Sequence, residues 1–161
     1  MKWLLTIKGW QLFLIWMVLS ILSFISFISY LLLAGIFIGW VYSIAVYMQY
    51  YLPLNVRPKM AYFKFSCGFL MVLVIVFSIL NFYTEKLLPW IEWSIIAYYI
   101  WSAFYVVMFA ARMLESAAKG RLVYRSDSLW TFICIGFMPL GTFSIQKMIQ
   151  SVLKSGAGAV S

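Results

Sequence analysis

A chain of 161 residues is long enough for one ordinary globular domain, yet 66% of it is hydrophobic, 20% aromatic and only 10% charged. A water-soluble fold of this size needs about 25% charged residues to cover its surface, so lipid is the expected solvent for much of the chain. The 12 Lys and Arg against 4 Asp and Glu, a net +8, sit in the gaps between apolar runs. That placement points to cytoplasmic loops facing anionic headgroups and argues against nucleic acid as the partner.

The first apolar run follows Lys2 and Lys8 in the manner of a signal peptide, but no small-x-small cleavage site closes it and it continues far beyond a signal core. A retained anchor is expected. No charge occurs from 9 to 56, which is too long for one crossing of about 20 residues and suits two spans near 10–28 and 31–50. The turn is expected near Ser29 and Tyr30, with Gly35 and Gly39 as equal alternatives. Pro53, Asn55, Arg57, Pro58 and Lys59 then describe a loop. A third span is expected over 65–83, followed by a connection holding Glu85, Lys86, Pro89 and Glu92. A fourth runs over 93–111, and its helical pattern continues to Lys119, with Glu115 and Lys119 in the favourable i,i+4 order and Gly120 at the C-terminal cap. Ser126, Asp127 and Ser128 supply oxygens suited to capping the next helix. The last run, 129–145, is interrupted by Pro139 and Gly141; proline inside a helix removes a hydrogen bond and clashes with the preceding turn. It is expected to enter the membrane, break at Pro139 and continue as an interfacial segment carrying Lys147 and Lys154, ahead of a small flexible tail at 155–161.

The expected fold is therefore all-α: a polytopic membrane helix bundle with four full spans and a proline-broken C-terminal fifth segment, forming one domain over 1–154. Lys2 and Lys8, the cations at 57–64 and those at 112–125 fall on one side of such a bundle. The positive-inside rule then puts both termini in the cytoplasm, in an inner membrane, if the last segment is re-entrant. A fifth full crossing would carry Lys147 and Lys154 outside.

Intramembrane catalysis and coupled transport draw on titratable groups at depth. The chain has no histidine, and its four acids, Glu85, Glu92, Glu115 and Asp127, lie in or beside connections. No catalytic, metal or cofactor site is expected. Cys67 and Cys134 lie in apolar runs and read as small buried hydrophobes. Ser20, Ser23, Ser26 and Ser29 recur every third residue. They invite a pore-lining stripe, but hydroxyls that bond their own backbone and let helices approach are the favoured reading. Gly35 and Gly39 form a small-xxx-small packing pair. Tyr98, Tyr99 and Tyr105 fall deeper than the belt tryptophans, so their hydroxyls are expected to seek partners within the bundle.

The loop from Leu52 and Pro53 to Pro58, the following Phe63-Lys64-Phe65-Ser66, and the closing Phe137-Met138-Pro139-Leu140-Gly141 with Ile145-Gln146 carry a likeness. On these residues the chain resembles a group of small uncharacterised bacterial four-helix integral membrane proteins, in which a cationic loop opens an aromatic span and a Phe-x-Pro-x-Gly break precedes a terminal Ile-Gln segment. Members often have proline after the glutamine, where this chain has Lys147. The resemblance implies a multi-pass helical membrane protein and brings no activity with it. Function is thus expected to be that of a non-enzymatic scaffold or partner-binding subunit in contact with lipid and with a protein partner or further copies of itself. A homo-oligomeric channel or membrane-perturbing effector is the alternative.

Overall fold

The computed structural model describes residues 3–23, 27–53, 57–83, 89–124 and 126–158. These residues are helical with no strand among them. Seven α-helices follow in order: α1 (Trp3–Thr6), α2 (Gly9–Ser23), α3 (Phe27–Met48), α4 (Ala61–Tyr83), α5 (Pro89–Lys119), α6 (Leu129–Gly136) and α7 (Met138–Gly158). Three of them, α3, α4 and α5, are long and apolar enough to cross a membrane. At 15 residues α2 is also apolar but rises only about 22 Å, short of a hydrocarbon core of roughly 30 Å.

Local chemistry sets most of the ends. Past Met48 the chain tightens into a 3-10 turn, Gln49–Tyr51, and leaves it at Leu52 with φ −92° and ψ 143°. Pro53 follows, and its ring drives the preceding residue into just that extended region. Beyond Lys119 the backbone of Gly120 turns left-handed at φ 63°, the usual way to stop a helix and reverse the chain. Between α6 and α7 the helix is interrupted at Phe137, with φ −91° and ψ 55°. Pro139 falls in the first turn of α7, where its missing N–H has no intrahelical acceptor to lose. Ring and backbone contacts give the register. Trp16 meets Phe37 across α2 and α3, Tyr42 meets Phe63 across α3 and α4, and Tyr62 meets Tyr105 while Phe69 meets Tyr98 across α4 and α5. With Gly35 also near Met71, α3, α4 and α5 are successively antiparallel.

The turn between the first two long helices differs from expectation. Ser29 and Tyr30 lie inside α3, and α2 already ends at Ser23. No glycine or proline stands between 10 and 34; α2 and α3 meet through Trp16 and Phe37, and 24–26, which join them, lie outside the described residues. Ser128 makes no side-chain cap bond to α6; a 3-10 turn over Ser126–Ser128 leads into the helix instead. The helix of α7 runs on through 155–158, and 159–161 lie outside the described residues.

The core is lopsided. Leu4, Leu5, Trp40, Ile44, Met48, Phe63, Met113, Leu114, Ile135 and Ile149 are fully or almost fully enclosed, and all belong to one cluster at the end where α3 and α5 finish. In contrast, no residue of 28–37 in α3 or of 93–101 in α5 is buried.

Candidate functional site

Chemistry-bearing side chains gather at this packed end. Arg57, Lys59 and Lys64 surround the start of α4, Arg112, Lys119 and Arg121 the end of α5, and Lys8 precedes α2. On α7 the enclosed positions are 141, 142, 145, 146, 149 and 152, so the opposite face carries Lys147, Ser151 and Lys154 outward.

Three polar knots hold the end together. First, the left-handed Gly120 lets the chain fold back on α5. There the Arg112 Nε donates to the Val123 carbonyl at 2.7 Å, and the Val123 N–H donates to the Ser116 hydroxyl at 3.1 Å. Second, Glu115, only 8% exposed, accepts from the Thr131 hydroxyl of α6 at 2.5 Å and meets Lys119 one turn on at 3.5 Å. A buried carboxylate is costly unless so partnered. Third, Gln146 of α7 reaches across to α1 and α2. Its Nε2 donates to the carbonyls of Leu5 at 2.9 Å and Ile7 at 2.6 Å, with Leu4 at 3.4 Å. These are the carbonyls a short helix leaves orphaned at its end. The Gln146 Oε1 is buried with no partner among the described residues.

Gly141 closes the same region. A Cβ added to it would overlap the Cys134 carbonyl and lie 2.7 Å from the Cys134 Cα, so α7 crosses α6 backbone to backbone. Gly9 also lies near α7, its added Cβ in tight contact 3.3 Å from the Phe143 Cα, and Phe13 tilts against the Phe143 ring at 5.5 Å. Pairing of Thr131 with Glu115 and of Gln146 with Ile7 brings the start of α6 and the middle of α7 to the cationic end.

Between α3 and α4 runs an apolar groove of about 330 Å³, walled by Ile38, Tyr42, Cys67 and Met71 and floored by Gly35, Gly39 and Gly68, with Lys64 at its mouth. A second, of about 290 Å³, lies deeper between Tyr30, Val74, Phe77, Ile96 and Tyr99.

Comparison of the chain with family models, curated proteins and solved structures returns no match. Its residues must speak for themselves.

The serines singled out by their spacing are divided between elements. Ser20 and Ser23 end α2, with the Ser23 hydroxyl donating to the Ser20 carbonyl at 2.7 Å, whereas Ser29 lies in the first turn of α3. Ser26 falls outside the described residues, as do the Glu92 side chain and Glu85. Asp127 is exposed beside Ser126. Cys67 and Cys134 are buried free thiols. Tyr98 stands edge-on to Phe69 at 4.8 Å and Tyr105 to Tyr62 at 4.8 Å. Among the described residues no three His, Cys, Asp or Glu side chains gather as metal ligands. The spacing of residues gave no sign of the Gln146 latch or the Glu115–Thr131 bond, whose partners lie far apart in the chain.

Proposed function

We propose that this chain is a multi-pass integral protein of a bacterial inner membrane, acting as a non-enzymatic scaffold that presents a cationic platform to a protein partner. One observation carries the reading: large apolar side chains face outward while polar ones are tucked inside. Trp93 and Trp130 are each 70% exposed, Trp101 and Ile28 each 66%. Ser43, Ser66, Thr131, Thr142 and Gln146 are enclosed. Water rewards the opposite partition, and a hydrocarbon surround tolerates this one.

In this reading α3, α4 and α5 cross fully and α2 supplies a fourth, shorter span. The α6–α7 hairpin enters and leaves from the cationic side, Pro139 forcing the break because a continued helix would set its ring against the preceding turn. Both termini then lie with the cations in the cytoplasm. The amphipathic α7, apolar toward α1 and α2 and bearing Lys147 and Lys154 outward, suits the aqueous edge.

Membrane residence is tested by washing membranes with alkaline carbonate: the chain is expected in the pellet, and recovery as a folded monomer in the supernatant overturns the proposal. Scaffold and channel are separated by purification followed by reconstitution. A stoichiometric co-purifying protein and ion-tight liposomes support the scaffold; ion flux that falls when Ser20 and Ser23 are replaced by leucine would replace it with the oligomeric channel.

A further inference from the structure

We propose that the α3–α4 groove is a binding site for one anionic phospholipid, its phosphate on Lys64 and an acyl chain laid along the glycines. This deepens the membrane reading and rests on it. Gly35, Gly39 and Gly68 line the groove and put no side chain into it. An added Cβ at Gly68 meets nothing within 4 Å, so the space beside it is unfilled. A volume of about 330 Å³ matches the low end of ligand pockets, roughly 300–1,000 Å³. Its apolar length, two helical turns from Lys64 to Met71 or about 10 Å, suits the first part of a chain of methylenes.

Charge chooses the occupant. Lys64 lies on the fourth residue of α4, at the cationic end, exposed and without an ion pair among the described residues. Its aliphatic stem can lie along the groove while the ammonium reaches headgroup level. Lys59 is exposed nearby, whereas Arg57 is already committed to the Leu52 and Tyr50 carbonyls at 3.0 and 3.2 Å. A second copy seated here would bring Lys59 and Lys64 against their own kind, and like charges facing each other are penalised.

The test uses full-length protein extracted in mild detergent and offered equal phosphatidylglycerol and phosphatidylcholine, with retained lipid counted by native mass spectrometry. Phosphatidylglycerol should be retained over phosphatidylcholine. Lys64→Gln should cut that preference roughly fivefold, the worth of one interfacial cation. Gly68→Leu should lower retention of both lipids by filling the slot, and Lys147→Gln, which removes the same charge elsewhere, should change neither. Equal retention of the two lipids, an equal loss in Lys147→Gln, or a Gly68→Leu protein that keeps its lipid but changes from dimer to monomer would each overturn the site. Because these readings are made on protein already recovered from carbonate-washed membranes, their failure leaves the membrane reading standing.

Discussion

At the scale of single residues, glycine does two opposite jobs. Gly141 is there so that two backbones can touch. Gly141→Ala should therefore lower the unfolding midpoint by the equivalent of about 1–3 kcal/mol of overpacking, or abolish folding, in a thermal melt followed by circular dichroism. Gly136, where an added Cβ meets nothing within 4 Å, is the contrast; Gly136→Ala should be neutral or stabilising by up to about 1 kcal/mol in the same melt. The sequence distinguishes these two poorly, since both stand near Pro139. Only the crossing of α6 by α7 makes one indispensable. Gln146 is similar: its partners Leu5 and Ile7 lie 141 and 139 positions away, beyond the reach of any periodicity. Gln146→Leu would strand their carbonyls, at a cost of about 1–3 kcal/mol for each buried unsatisfied group. Amide exchange should then quicken in residues 4–12 well before it does in α4; unchanged protection there would show that the latch carries no weight.

Among elements, the joint between α5 and α6 depends on a carboxylate held in a dry place. Thr131→Val removes the Glu115 donor and should destabilise by about 1.5–3 kcal/mol, because hydrogen bonds to charged groups are the expensive ones to break. Glu115→Gln removes the charge, so the double variant should lose less than the sum of the two singles; additivity would mean the pair does not interact. Lys119, with its side chain 42% exposed, adds little to this ledger. Proline 139 acts at the same scale. Pro139→Ala should let α6 and α7 approach a continuous helix, raising helical signal and loosening the hairpin, whereas unchanged spectra and stability would assign the break to Gly141 alone. The apolar runs, the end of α5 at Gly120 and the i,i+4 pair of Glu115 with Lys119 were all legible beforehand because they depend on neighbours in the chain. Where α2 gives way to α3 was not, because no glycine or proline stands between 10 and 34 to mark the end of a helix.

For the whole molecule, the distribution of charge and the antiparallel register make one topological prediction. With Cys67 and Cys134 replaced, single cysteines at 59, 121 and 147 should react with an impermeant thiol reagent from the same face of sealed vesicles, and one at 86 from the opposite face. Labelling of 147 together with 86 would mean that the last segment crosses. The uneven core described above has a mechanical corollary. The bundle is tied like the ribs of a fan at its cationic end, where α1, α3, α5, α6 and α7 lock together, while 28–37 of α3 and 93–101 of α5 stay part-exposed. In the membrane proposed above, a thicker or thinner bilayer is expected to shift 28–37 and 93–101 against each other while the tied end keeps its shape.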